Sequence, residues 1–194
     1  MLVFGLTGGS ALCNEALRQS LRVFKGAGGI HAGRWAGRKW AEGRFRTPYL
    51  RNSLWKEGYM VDTLETSTVW GNTDHLIKAI ESSLKEALLP SAERVHVFSH
   101  LSHLYPIGSS IYTTYLFRAG HNYEETLTRW SILKKTASNA IVANGGTISH
   151  HHGIGVVHAP YLIKEKGPLG VGAVKSLCAY LDPDGIMNPG KLIR

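Results

Sequence analysis

The stretch that decides the fold is Ile111-Tyr-Thr-Thr-Tyr-Leu-Phe-Arg118. As an extended segment it puts every second side chain on the same face. One face carries Ile111, Thr113, Tyr115 and Phe117, and the other carries Tyr112, Thr114, Leu116 and Arg118. The second face is the more polar, which predicts a strand with one side packed on a core. Val95–Phe98 precedes it as a second extended segment, so we expect an antiparallel pair.

Strands and helices alternate in mixed order around this pair. Further strands are predicted at 2–7 and Val61–Val69. Four helices are predicted. The first covers Ala11–Lys25, with Leu12, Ala16, Leu17 and Leu21 on one face, and the last covers Pro168–Leu181. Between them, one helix runs from a cap at Asn72 or Thr73 to a stop at Pro90, and another runs from a capping box at Asn122 and Glu125 through Ile141. Residues 29–48 show no clear periodicity and are expected to be a long loop with helical pieces, suited to a gate or a substrate contact. The fold class predicted is α+β.

Three consecutive histidines, His150, His151 and His152, lie between Gly145-Gly146 and Gly153. Imidazole changes its charge near neutral pH, and glycines allow a tight turn or a close approach to a flat ligand. We therefore favour a site that handles protons or contacts a cofactor. A metal site and an accident of surface composition are the alternatives. An extended backbone would point His151 away from the other two rings, which makes a poor metal cage.

The composition narrows the class of protein. The chain has 194 residues with 43% hydrophobic and 19% charged residues, which is typical of a globular domain. Two cysteines are too few for a disulfide framework, so a reducing compartment is expected. No apolar run is long enough to span a bilayer, and the first residues do not resemble a signal peptide. These observations predict a cytoplasmic protein.

The net charge of +8 implies an anionic partner. Basic and aromatic residues alternate between Arg34 and Arg51. Such a stretch suits single-stranded nucleic acid, an anionic lipid headgroup or a phosphorylated substrate, and composition alone leaves all three open. Tyr112 is a second candidate for acid–base chemistry, although buried tyrosines usually pack with the hydroxyl simply hydrogen-bonded.

Five segments together resemble the C-terminal part of FAD-linked oxidases of the vanillyl-alcohol-oxidase type, above all the alkyldihydroxyacetonephosphate (alkylglycerone-phosphate) synthases and their bacterial relatives. These segments are Asn144–Gly155, Gly108–Tyr115, Pro48–Arg51, Asp62–Thr66 with Trp70, and Asp182–Lys191. The triple histidine is the discriminating feature, since FAD-dependent 2-hydroxyacid dehydrogenases typically carry Gly-Glu-His-Gly there. Their metal-binding motif, Gly-His-x-Gly-Asp-Gly-Asn-x-His, is missing near Ser102–Tyr112, so no metal is predicted.

The resemblance implies a role for each matched residue. Arg51 corresponds to the arginine that binds the substrate phosphate, and Tyr112 to the proton-exchanging tyrosine. His150, His151 and His152 correspond to the essential histidines beside the flavin. His152 and Asn188 are expected to contact FAD. Pro189 departs from the mammalian pattern at the tail, which leaves the role of the tail and the precise substrate open.

The reaction implied is ether-lipid synthesis, in which a fatty alcohol replaces the acyl group of acyl-dihydroxyacetone phosphate, with flavin N5 as covalent catalyst. The alternatives are the C-terminal domain of an FAD-linked 2-hydroxyacid oxidoreductase, and a basic module for nucleic acid or an anionic membrane, of which nucleic acid is the less favoured partner. Fatty substrates also suggest peripheral contact with a membrane.

The organisation implied is a cap or substrate domain over 1–155, incomplete at its N-terminus, and a C-terminal segment over 156–194 that returns to an FAD-binding domain. We find no dinucleotide fingerprint in the 194 residues. We therefore expect the chain to need a separate FAD-binding half for activity, and a homodimer is a further expectation.

Overall fold

The computed structural model describes residues 2–46 and 48–193, and these described residues fall into two compact groups that divide between residues 52 and 53. The first group contains α1 (Ser10–Gly26), α2 (Trp35–Gly43) and a 3-10 turn at Arg44–Arg46. The helix α3 (Tyr49–Lys56) begins in it. The helix predicted over 11–25 is therefore confirmed, and α2 accounts for much of the stretch where helical pieces were expected.

Two details of the first group differ from the prediction. Residues 2–7 are irregular, so the strand expected there is wrong. A strand needs a neighbour for its backbone hydrogen bonds, whereas here Phe4 packs edge-on against Phe24 of α1, with ring centroids 5.3 Å apart. Leu12, expected on the packed face of α1, is exposed. The half-buried stripe consists of Cys13, Ala16, Leu17, Ser20, Leu21 and Phe24.

The second group is built on a three-stranded antiparallel sheet. Its elements in chain order are β1 (Tyr59–Val69), α4 (Trp70–Glu86), β2 (His96–Leu104), β3 (Gly108–Arg118), α5 (Tyr123–Ala143) and α6 (Leu162–Leu181). The spatial order of the strands is β1-β3-β2. The central strand is thus the one whose alternation was described first. The α+β class is confirmed.

The register of the sheet decides which side chains share a face. Tyr112 of β3 lies opposite Glu65 of β1 and opposite His100 of β2. Directly paired residues point to the same side of a sheet. The neighbouring positions Leu64, Ile111 and Tyr115 point to the other side, where they pack with α4 and α5 into the core. One face of the sheet is therefore the core, and the other carries Glu65, Tyr112 and His100.

The helices agree with the predicted positions, with one error in capping. Asn122 accepts a hydrogen bond from the Glu125 backbone N–H (2.8 Å), which confirms the cap of α5. The cap expected at Asn72 or Thr73 is wrong, because α4 already begins at Trp70. The Asn72 side chain instead donates to the Asn144 carbonyl (2.7 Å) and so ties α4 to the end of α5.

The final helix contains a break at Gly167, where φ is 69° and ψ is 170°. Pro168 follows directly, and proline is well suited to the first turn of a helix because it lacks an N–H. The segment from Pro168 onward therefore behaves as the helix that was predicted. Among the described helices, none has the length and apolarity that crossing a bilayer would require.

The end of α5 is fixed by a close approach at Gly146. A Cβ built there would lie 2.6 Å from Thr66 Oγ1 and 2.8 Å from Leu76 Cδ2. We expect Gly146→Ala to lower the free energy of unfolding by about 1–3 kcal/mol through overpacking. Gly71→Ala is the matched control, since a Cβ there meets nothing within 4 Å; it should stabilise by about 0.4–1 kcal/mol. Urea denaturation measures both, and equal effects of the two variants would contradict the close packing at Gly146.

Candidate active site

The segment after α5 runs along the outer edge of β1. The Thr147 N–H donates to the Ser67 carbonyl (3.1 Å) and the His150 N–H donates to the Glu65 carbonyl (3.0 Å). Ile148, between them, is buried. This edge pairing satisfies backbone groups that a free strand edge would expose. It also delivers the histidines to the face of the sheet opposite the helices.

A half-buried carboxylate from α6 holds this segment in place. Glu165 accepts hydrogen bonds from the Ile148 N–H (2.6 Å) and the Thr147 hydroxyl (3.0 Å). Burial raises the pKa of Glu165, but these two donors together with the ammonium of Lys166 outweigh it, and the net pKa lies below the ordinary value. The position of the histidine loop therefore depends on a charged anchor outside the loop itself.

The histidines do not lie on an extended segment. His151 has φ of 60°, and the His152 N–H donates to the His150 carbonyl (2.8 Å), which closes a three-residue turn. A non-glycine residue in this region costs about 1–3 kcal/mol, and such strain clusters at functional sites. The expectation that His151 would point away from the other rings is wrong, because the turn brings the His150 and His151 rings to 3.9 Å between centroids.

Glu65 lies among the histidines and is the residue around which they are arranged. Its side chain is 3% exposed. Oε1 lies 3.4 Å from Nδ1 of His150, and Oε2 lies 3.4 Å from Nε2 of His152. The Ser102 hydroxyl donates to Oε1 at 2.5 Å. A buried carboxylate of this kind needs donors or cations around it; the Ser102 hydroxyl supplies a hydrogen bond, and the imidazoles of His150 and His152 lie at ion-pair distance.

The environment of Glu65 favours the ionised form. Burial raises the pKa of Glu65, but the Ser102 hydroxyl and the imidazoles of His150 and His152 lower it more, so that the net pKa lies below the ordinary 4.5. A carboxylate with a lowered pKa stabilises the folded state above the ordinary value, and that contribution is lost as the pH falls through the lowered pKa.

We expect this contribution to disappear in Glu65→Gln. The difference in unfolding free energy between wild type and Glu65→Gln should be present at about pH 5 and should shrink as the pH falls below about 4. Urea denaturation across this range measures it. Glu86→Gln, at an exposed position on α4, is the control for loss of one surface carboxylate. A difference that grows as the pH falls from about 5 to about 3 would contradict the ionised Glu65.

Tyr112 is part of the same face. Its ring is 5.6 Å from that of His152, edge to face, and it stacks on His100 at 5.3 Å. The hydroxyl donates to Thr63 Oγ1 at 3.1 Å. The structure thus brings Tyr112 beside the triplet, and it also provides the simple hydrogen-bond partner that a packing role would need.

Four side chains also have the geometry of metal ligands. Glu65, His103, His150 and His151 each place one ligand atom within 4.8 Å of the others. Carboxylate and imidazole are ordinary ligands for divalent transition metals. The expected absence of a metal stays a prediction, and it now rests on the missing dehydrogenase motif rather than on an extended backbone.

The other predicted residues lie elsewhere in the chain. Arg51 lies on α3, in the group formed by 1–52, and is exposed. Asn188 has φ of 48° and Pro189 follows it in an exposed tail. This tail is attached to the loop after the histidines, where the Leu192 N–H donates to the Gly155 carbonyl (3.1 Å). The phosphate role of Arg51 and the cofactor role of Asn188 stay predictions.

A large open cavity lies at the other end of the sheet. It has a volume of about 710 Å³ and is lined by residues that include Tyr59, His96 and Arg118. Tyr59 is six residues from Glu65 along β1, a separation of roughly 20 Å at the rise of a strand. The histidine face, rather than this cavity, holds the titratable groups that acid–base chemistry requires.

Comparison with known proteins identifies the family of this chain. Residues 1–192 match the family described as FAD linked oxidases, C-terminal domain. The chain belongs to this family. An alkyldihydroxyacetonephosphate synthase from Trypanosoma brucei brucei is 30% identical over 193 residues, covering 100% of this chain and 31% of the relative. The synthase from Dictyostelium discoideum is 30% identical over 157 residues, covering 81% of this chain and 25% of the relative.

A solved structure of an alkyldihydroxyacetonephosphate synthase has the same fold. It superposes with a TM-score of 0.63 at 20% identity and covers 94% of this chain and 30% of that one. The chain thus spans less than a third of the length of the relatives it matches. FAD is the cofactor of this family, and the α+β fold of its C-terminal domain agrees with the predicted class.

The sequence prediction missed part of the site in this FAD-linked oxidase domain. Glu65, Ser102, His103 and Tyr105 were not proposed as functional. One signal could have found Glu65, since it is a single carboxylate at the centre of an otherwise uncharged strand end, Thr63–Val69. His103 and Tyr105 carried no such signal, because β2 was predicted to end at Phe98 and instead continues to Leu104.

Proposed function

We propose that the chain is the C-terminal, histidine-bearing part of an FAD-dependent alkylglycerone-phosphate-synthase-like enzyme. It would exchange the acyl group of acyl-dihydroxyacetone phosphate for a fatty alcohol. The observation that carries the proposal is the convergence of the histidine triplet, Tyr112 and buried Glu65 on one face of the sheet. The similarity to the synthases of T. brucei brucei and D. discoideum supports it.

The residues present fit a flavin beside the triplet. His152 is 35% exposed at its side chain and offers ring nitrogens, which suit the hydrogen-bonding edge of an isoalloxazine. His152 and Asn188 are the residues that would hold FAD. When bound, FAD would supply covalent catalysis at C1 of the substrate.

The chain's own residues would handle the proton and the phosphate. Removal and return of the C1 proton requires an acid–base group within reach, and Tyr112 with the neighbouring His152 provides one. Glu65 would orient His150 and His152. Arg51 would bind the phosphate through its planar, five-donor guanidinium. We also propose that the protein is cytoplasmic and contacts a membrane peripherally, because its proposed substrates carry fatty chains.

The test is product formation by the FAD-loaded protein that contains this chain. Acyl-dihydroxyacetone phosphate and a fatty alcohol should give the ether product and free fatty acid, and the visible absorbance of the flavin should recover fully after turnover. Bleaching of the flavin by D-lactate or D-2-hydroxyglutarate, without ether formation, would contradict the proposal and favour a 2-hydroxyacid oxidoreductase.

A further inference from the structure

His150 lies between a phenol and a carboxylate. The hydroxyl of Tyr105 is 3.0 Å from Nε2 of His150, and Oε1 of Glu65 is 3.4 Å from Nδ1 of the same ring. We propose that Tyr105 is a further catalytic residue of this site, with His150 as its proton acceptor and Glu65 as the positioning residue that fixes the His150 ring. The inference rests on the proposed function for its substrate, and on the geometry alone for the triad.

The carboxylate determines which nitrogen of His150 carries the proton. Nδ1 of His150 is buried, and among the described residues it has no aligned hydrogen-bond partner. The nearby Oε1 of Glu65 is an acceptor, so a proton on Nδ1 is favoured and the Nε2 lone pair is left facing Tyr105. Hydrogen bonds in sites without ligand are often long or misaligned and tighten when substrate binds. In this arrangement the Tyr105 phenol is the acid or nucleophile, the His150 imidazole is its base, and the Glu65 carboxylate orients that base.

Both ends of this array are held by the backbone. The strained turn at His151 fixes the His150 ring, which also lies 5.7 Å from the His103 ring. Tyr105 lies in the β2–β3 connection, where its N–H donates to the Gly108 carbonyl (2.8 Å) and its carbonyl accepts from the Trp70 indole (3.1 Å). A site whose groups are positioned in advance reacts without reorganisation. The contact between Tyr105 and His150 is therefore a built feature of two separate loops.

The proton step needs no further reactant. The O–H bond of Tyr105 breaks, an N–H bond forms at Nε2 of His150, and the resulting imidazolium faces the Glu65 carboxylate. The reverse step returns the proton. Tyr105 is 39% exposed, so its ring is accessible to a bound molecule. Tyr112 contacts His152 only edge to face, at 5.6 Å between ring centroids, and its hydroxyl donates to Thr63 Oγ1, whereas the Tyr105 hydroxyl lies directly on the His150 ring nitrogen.

Nitrogen NMR of the ¹⁵N-histidine-labelled chain tests the triad without flavin or substrate. In a sample at about pH 8.5, chosen to observe the neutral ring, we expect His150 to carry its proton at Nδ1, with its signal assigned by His150→Asn. Tyr105→Phe should shift the Nε2 signal of His150, and Glu65→Gln should move the proton toward Nε2. The matched control Tyr112→Phe should leave His150 unchanged.

Several outcomes would overturn the proposal. They are a His150 protonated at Nε2 in wild type, an Nε2 signal unmoved by Tyr105→Phe, or stoichiometric Zn²⁺ uptake that shifts His103, His150 and His151 together and is lost in Glu65→Gln. Tyr105 is accessible, so its variant serves if Glu65→Gln does not fold. In the FAD-loaded protein, Tyr105→Phe should lower kcat roughly 100-fold with little change in KM. If His150 is protonated at Nδ1 as expected but the wild-type protein makes no ether, the proposed function is refuted while the arrangement of Tyr105, His150 and Glu65 is still supported.

Discussion

Replacing Tyr112 with phenylalanine should reduce exchange of the C1 hydrogen of acyl-dihydroxyacetone phosphate by about 100- to 10,000-fold in the FAD-loaded protein. The change removes one oxygen and leaves the ring stacked on His100 and in contact with His152. The loss should therefore appear in kcat more than in KM, since the group acts on the proton and not on substrate binding. Release of tritium from C1-labelled substrate measures it.

Thr63→Val is the matched control for this prediction. The Tyr112 hydroxyl donates to Thr63 Oγ1, so Thr63→Val removes the same hydrogen bond and keeps the phenol. If Tyr112 handles the proton, Thr63→Val should retain exchange to within a few-fold. If the hydroxyl serves packing alone, the two variants should behave alike, with stability changes of about 1 kcal/mol and exchange nearly intact. That second pattern would refute the role assigned to Tyr112.

The largest effect on stability is expected at Asp62, on the core face of β1. One oxygen, Oδ2, accepts from the Tyr115 hydroxyl (2.9 Å), the Trp130 indole (2.7 Å) and the Lys134 ammonium (2.8 Å). Burial raises the pKa of Asp62, but the Lys134 charge and the hydrogen bonds together lower it by more, so the net pKa lies below its ordinary value. Burial and the Asp62 charge raise the pKa of Tyr115, which keeps its hydroxyl a donor.

Asp62→Ala should therefore lower the unfolding free energy by about 3 kcal/mol, because it leaves the largely buried Lys134 charge unpaired. Adding Lys134→Met should recover part of this loss by removing that charge. Asp74→Ala, at an exposed position on α4, should change stability by no more than about 0.5 kcal/mol. Urea denaturation of the four proteins measures these effects. A cost below about 1 kcal/mol for Asp62→Ala, or no recovery with Lys134→Met, would show that Asp62 does not anchor the sheet to α5.

The predictable part of the fold came from periodicity. The apolar face of β3 at Ile111, Thr113 and Tyr115 is buried as expected, and the cap at Asn122 holds. Alternation and capping are local signals, so a single sequence carries them. The strand expected at 2–7 failed because a strand also depends on a neighbour, which is not a local property.

The candidate site was predictable in part. The histidine triplet was identified from its residue types, Tyr112 received its role from the family resemblance, and the structure places them together. Glu65 was missed because its place in the candidate site depends on register, which brings it opposite Tyr112. The turn at His151 was missed as well, since a histidine at positive φ is held there by surrounding contacts and not by its own preference.

The proposed reaction of the histidine face is the removal and return of a proton at C1 of an acyl-dihydroxyacetone phosphate beside FAD. Its most direct test is the release of tritium from C1-labelled substrate by the FAD-loaded wild-type protein, with the flavin absorbance followed in the same sample. We predict release of tritium that depends on His152 and on Tyr112, with the flavin oxidised again at the end of turnover. Lasting reduction of the flavin, or ether formation with all tritium retained at C1, would contradict this reaction.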